Sequence, residues 1–142
     1  MKVRPNSLTR PQKWVVVVSL MLLALGACNL GRMGLALYYN AHRPPTLSLT
    51  VSLPYLAGMG AFWGAAFLLC GVGLLSFQPW GQRFAPAAAT MYEVHVWINH
   101  FLFDANDYAY QTRPRDMALT LLLLAFVWGG LSWPGVRKVF EQ

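Results

Sequence analysis

Residues 85–103, APAAATMYEVHVWINHFLF, decide how this chain is built. They are apolar enough to sit among helices, yet they place Glu93, His95, Asn99 and His100 within eight residues. Three plainly apolar blocks flank them. The first runs over residues 14–39 and is broken only by Asn29 and Arg32. The second covers 54–77, and the last and shortest covers 117–133, stopped by Pro134 and Gly135. A helix needs about 20 mostly apolar residues to cross a bilayer. Counting 84–103 as the third, less apolar crossing gives four spans. The expected fold is therefore all-α, a single membrane domain over 1–142 forming a four-helix bundle.

Composition points the same way. Of 142 residues 56% are hydrophobic and 11% charged, where a soluble domain carries about 25% charged residues. The net charge of +6 does not signal nucleic acid, because the basic residues sit at block ends and no motif of that class accompanies them. They set orientation instead. With the N-terminus inside, the inner segments hold Lys2, Arg4, Arg10, Lys13, Arg83, Arg137 and Lys138, against Arg43, Arg113 and Arg115 outside. That bias predicts an N-in/C-in arrangement. Trp14, Trp80 and Trp133 fall at the inner boundary, and Tyr38, Tyr39, Tyr55, Tyr108 and Tyr110 at the outer one, as two interfacial belts should.

The joints are legible in part. Thr46 to Leu53 alternates like a strand, but a lone strand cannot sit in lipid, so it reads as an extended outer loop after Pro44 and Pro45. Ser52 would cap the second helix, with Pro54 in its first turn. Leu25-Gly-Ala-Cys28 looks like a lipobox. The apolar run continues past it to Tyr39, which favours an uncleaved first helix. At 1.5 Å per residue, Cys28 lies ~21 Å and Cys70 ~10 Å from the inner boundary, too far apart in depth for a disulfide.

Helices in lipid associate through small residues and polar contacts. Ala27 with Gly31, and Gly60 with Gly64, have the small-xxx-small spacing, and Gly129 and Gly130 sit near the inner end of the last helix. The third helix has polar groups on two faces. At 100° per residue, Glu93, Trp97, His100 and Asp104 share one face, and Tyr92, His95 and Asn99 lie roughly opposite. Intramembrane polar groups face a partner or a cavity. Both faces therefore need covering, by sister helices and by a second protein. Glu93 sits ~14 Å from the inner end of its span and Arg32 ~27 Å from that side, so Arg32 matches His100 or Asp104 in depth better than Glu93. A protonated Glu93 bonded to a neighbouring helix is the expectation for that residue.

Little points to a cofactor or a metal. His95 and His100 share one helix on different faces, which does not suit two axial ligands of one haem. The segment Asp104 to Tyr110 gathers two acids without metal-ligand spacing and reads as a partner-facing loop, and Asp116 should stabilise the start of the last helix. There is no nucleotide motif, nucleophile elbow, His-Glu metal motif or repeat. No catalytic residues and no enzyme activity are expected.

Gln78-Pro-Trp-Gly-Gln-Arg83 and His95-Val-Trp-Ile-Asn-His100, followed by Asp107-Tyr108, resemble small uncharacterised four-span bacterial inner-membrane proteins. That resemblance implies a multi-pass protein of the bacterial inner membrane and transfers no functional residue. Small multidrug exporters also have four spans, but their membrane glutamate lies in the first helix, where this chain has Arg32. Three functions follow in order. The first is a non-catalytic accessory subunit of a larger membrane complex, such as a respiratory or photosynthetic electron-transfer assembly, with the lipid bilayer and other membrane subunits as partners. The second is a small proton-coupled transporter using Glu93. The third is a pigment- or quinone-binding protein using His95 or His100.

Overall fold

A computed structural model describes residues 8–42, 51–103 and 107–141. It contains five helices: α1 (Arg10–Ala41), α2 (Leu53–Leu75), α3 (Pro79–Phe103), α4 (Asp107–Ser132) and the single turn α5 (Pro134–Arg137). Three stretches are long and apolar enough to cross a membrane: Arg10–Ala41, Leu53–Leu75 and Gln111–Ser132, with mean hydropathies of 2.1, 1.8 and 1.3. The third helix is not among them, although 25 residues give it the length. Its polar cluster is what lowers its hydropathy.

The helix ends explain where each element begins. The backbone N–H of Thr9 donates to Gln12 Oε1 at 2.9 Å as α1 starts. Ser52 holds the N-cap position of α2 with Pro54 just inside, as expected, but its side chain makes no capping bond. The α2–α3 turn is a Schellman closure. Phe77 N–H donates to Leu74 O and Gln78 N–H to Gly73 O, each at 2.9 Å. Phe77 stands at φ 51°, where glycine is the usual occupant, and its ring packs 6.4 Å from Phe140. Pro79 then opens α3 at its first position, where a missing N–H costs nothing.

Two boundaries differ from expectation. α3 begins at Pro79 rather than at residue 84, because the Trp80 ring seats against Gly73 and Gly81 lies on the Gly73–Leu74 backbone. α4 begins at Asp107 rather than at residue 117. The polar segment before residue 117 is thus helical, with Pro114 inside it. Asp116 consequently does not sit at a helix start. It receives Arg115 at 2.9 Å instead. The expected loop at Thr46 and the residue Asp104 lie outside the described residues.

The helices follow one another around the bundle in chain order. α1 packs most extensively on α2, then α2 on α3 and α3 on α4, while α4 returns to α1 through a thinner contact. Val15, Val18, Leu22, Phe67, Leu74, Ala85, Ala89, Val127 and Leu131 fill the centre. α5 folds Val136 back beneath them. Buried Ser19 Oγ donates to Gly71 O at 3.0 Å and ties α1 to α2. At the same end Gln82 Nε2 donates to Leu131 O at 3.0 Å and ties α3 to α4.

Small residues make the α1–α2 contact, but on α1 they are not the expected pair. Ala27 is exposed, and a Cβ on Gly31 would meet nothing within 4 Å. Gly26 and Asn29 are among the α1 positions that face α2. A Cβ on Gly60 would lie 2.8 Å from Asn29 O, and one on Gly26 would lie 3.1 Å from Gly64 O. Gly60 and Gly64 are the α2 positions against which these two lie. Gly130 admits the Trp14 indole, whereas Gly129 is open.

Candidate functional site

The two polar faces of α3 meet two different helices of the same chain. Tyr92, His95 and Asn99 turn toward α2. Trp63 packs edge-on against Tyr92 at 5.4 Å, and its Nε1–H donates to His95 Nδ1 at 3.2 Å. Tyr55 Oη lies 3.0 Å from His95 Nε2 and donates to Asn99 Oδ1 at 3.0 Å as the amide is placed. The far end of that amide lies 3.0 Å from His95 Nε2.

The chemistry of these groups fixes how their protons run. An indole N–H can only donate, so His95 Nδ1 accepts and the neutral ring carries its proton on Nε2. An amide nitrogen facing Nε2 would then set two donors against each other. Amide oxygen and nitrogen are interchangeable by a 180° turn, and the satisfied arrangement has the Asn99 oxygen receiving Nε2–H while its nitrogen donates to Tyr55 Oη. The bonds then run one way, from Trp63 through His95 and Asn99 to Tyr55. The Tyr55 hydroxyl proton is left without an acceptor inside the network.

Tyr55 and its partners line a cavity. Between α1, α2 and α3 lies a space of about 330 Å³ into which Asn29, Arg32, Tyr55, His95, Asn99 and His100 project, with Leu56, Met59, Trp63 and Phe103 as apolar wall. The volume is at the small end of ligand pockets. Asn29 is only 4% exposed and donates to Leu25 O at 2.9 Å within its own helix. Arg32 is exposed to the cavity and makes no hydrogen bond or ion pair among the described residues. Arg32 and His100 therefore share a cavity, as their matched depths suggested, without a bond between them. The His100 ring lies tilted against that of Trp97, 5.6 Å away.

On the other face, Glu93 is 8% exposed and turns toward α4. Thr120 Oγ1 donates to Glu93 Oε2 at 2.7 Å and receives Trp97 Nε1–H at 3.1 Å. Because the indole can only donate, the threonine proton is committed to the carboxyl group. One turn away, Trp128 Nε1–H donates to Thr90 Oγ1 at 3.0 Å, and Thr90 Oγ1 donates to Pro86 O at 2.8 Å. A wider cleft of about 550 Å³ opens here, lined by Glu93, Trp97, Asp116 and Thr120 with Met21, Leu25 and Leu123.

The polar residues of α3 had been marked as a group by sequence. Their α2 and α4 partners, Tyr55, Trp63 and Thr120, had not been read as site residues. Ordinary aromatic and hydroxyl residues in apolar runs carry no signal of their own. Cys28 is exposed and Cys70 buried, both as free thiols. Among the described residues no three His, Cys, Asp or Glu side chains gather as a metal site. Compared with known proteins, the chain matches no family model, no curated protein and no solved structure.

Proposed function

We propose that this chain is a four-span, N-in/C-in bundle of a bacterial inner membrane that binds a small amphipathic molecule in the α1–α2–α3 cavity and performs no catalysis on it. Membrane crossing by α3 rests on the cover its polar faces receive from α2 and α4, which spares them contact with lipid. The observation that carries the binding reading is the one-way network ending at Tyr55. It leaves the Tyr55 hydroxyl, on the wall of that space, with a proton to donate, so the molecule it suits has a hydrogen-bond acceptor at its head. Both His95 nitrogens are engaged, which leaves none on that residue for the metal of a pigment and favours a ligand held through its oxygens.

The test is photolabelling in nanodiscs with a diazirine-bearing alkyl amphiphile. Labels should concentrate on Leu56, Met59 and Phe103 and should fall when Tyr55 is changed to Phe. Labels spread evenly over outward residues such as Leu69 and Leu121 would rule the site out.

A second reading, a non-catalytic accessory subunit of a larger electron-transfer assembly, draws on α4. Only 17% of its most apolar stretch is buried, against 33% for α1 and 44% for α2. Native sizing after gentle solubilisation tests it. A species carrying further chains is expected on that reading, and a lone protomer excludes it.

A further inference from the structure

The ligand's class can be narrowed, on the footing that the α1–α2–α3 cavity is a binding site. From Arg32 and Tyr55 we infer that the occupant is an anionic amphiphile, a carboxylate or phosphate head on an apolar tail.

Among the described residues Arg32 is the one arginine or lysine lining the cavity, and it has no ion-pair partner there. A guanidinium cannot shed its charge in a protein, so a cavity that holds one favours an anion. Its planar fork of N–H donors matches carboxylate and phosphate oxygens, and such bonds are about twice as strong as neutral ones. The Tyr55 hydroxyl adds a neutral donor on the α2 side. Among the described residues no Asp or Glu lines this cavity; Glu93 and Asp116 line the other cleft instead. Among those residues the two spaces thus differ in sign across α3, with the basic side chain on one side and the carboxyl groups on the other. The small volume holds a head and the start of a chain, and the lining of Leu56, Met59 and Phe103 offers the rest of the tail an apolar path.

The experiment uses the full chain in phosphatidylcholine nanodiscs and two diazirine probes that differ only in charge, a C12 fatty acid and its methyl ester. The acid should half-saturate cavity labelling at a concentration at least tenfold below that of the ester. Arg32→Gln should bring the two within about twofold by weakening the acid alone, and Arg32→Lys should keep most of the preference. Unchanged ester labelling in Arg32→Gln shows that the cavity still stands. Equal labelling by acid and ester in the native chain would overturn the anionic class while leaving the site itself in place. Such a result would mark a neutral acceptor such as a quinone carbonyl. A preference that survives Arg32→Gln would also overturn the inference. Labelling of the cavity by neither probe would overturn the site reading too. Including phosphatidylglycerol in the discs identifies the source, and either result supports the anionic class. Suppressed acid labelling assigns the site to an anionic two-chain lipid, and unchanged labelling assigns it to a single-chain acid.

Discussion

Glu93 and Thr120 show how a carboxyl group can stay inside this bundle. Thr120 accepts a hydrogen bond from Trp97 and donates its own to Glu93, so both long side chains depend on one hydroxyl. Thr120→Val removes that hydroxyl at nearly constant volume and leaves a buried carboxyl oxygen and an indole N–H unmatched. The expected loss is about 1–3 kcal/mol, measured as reversible unfolding in mixed detergent micelles. Glu93→Gln keeps an acceptor toward Thr120 and should cost under about 1 kcal/mol, in line with the small average worth of interhelical bonds in membranes. It also bears on a transporter role, since proton-coupled uptake through Glu93 would vanish in that variant. The sequence marked Glu93 as a residue that needed a neighbour, because ionisable groups at membrane depth are rare. It could not name the neighbour, since Thr120 sits in an otherwise apolar run whose rotation about the helix axis is set only by packing.

Between elements, the close approach of α1 and α2 rests on glycines whose roles are unequal. A Cβ on Gly60 would press on backbone, 2.8 Å from Asn29 O and 2.9 Å from Met33 N, and backbone cannot swing aside. Gly60→Ala should therefore push the helices apart and cost about 1–3 kcal/mol. Gly31→Ala meets open space and should be neutral or stabilising by up to about 1 kcal/mol through helix propensity alone. Melting temperatures of the two variants in one detergent check the contrast, and equal losses would mean that α1 is rotated from the orientation described. Spacing showed that α1 and α2 had small residues to offer. It chose Ala27 and Gly31 on α1 where packing uses Gly26 and Asn29, because spacing does not fix the rotation of α1 about its axis and only contact with α2 does. Helix boundaries failed for a related reason. Pro79-Trp80 and the polar residues before Met117 read as interruptions to an apolar block, yet helix formation tolerates them once Trp80 packs on Gly73 and the α4 backbone satisfies its own bonds.

For the whole molecule, everything about orientation turns on α3. Three helices have ample hydropathy, and an odd number of crossings would put the two ends of the chain on opposite sides of the membrane. An even number requires that α3 cross despite Glu93, His95, Asn99 and His100. Its polar groups are matched to Tyr55, Trp63 and Thr120 on its neighbours, so crossing with α2 and α4 alongside exposes few of them to lipid, whereas crossing alone would expose them all. The charge bias gives an independent expectation that both ends are cytoplasmic. Single cysteines placed at Ser7, Ser48, Asn106 and Glu141 in a chain with Cys28 and Cys70 changed to Ala distinguish the cases. In intact cells or spheroplasts a membrane-impermeant maleimide should label Ser48→Cys and Asn106→Cys only, with Ser7→Cys and Glu141→Cys becoming reactive after permeabilisation. Labelling of Glu141→Cys from outside would mean three crossings. The α1–α2–α3 cavity would then lose the membrane setting that its apolar wall suits.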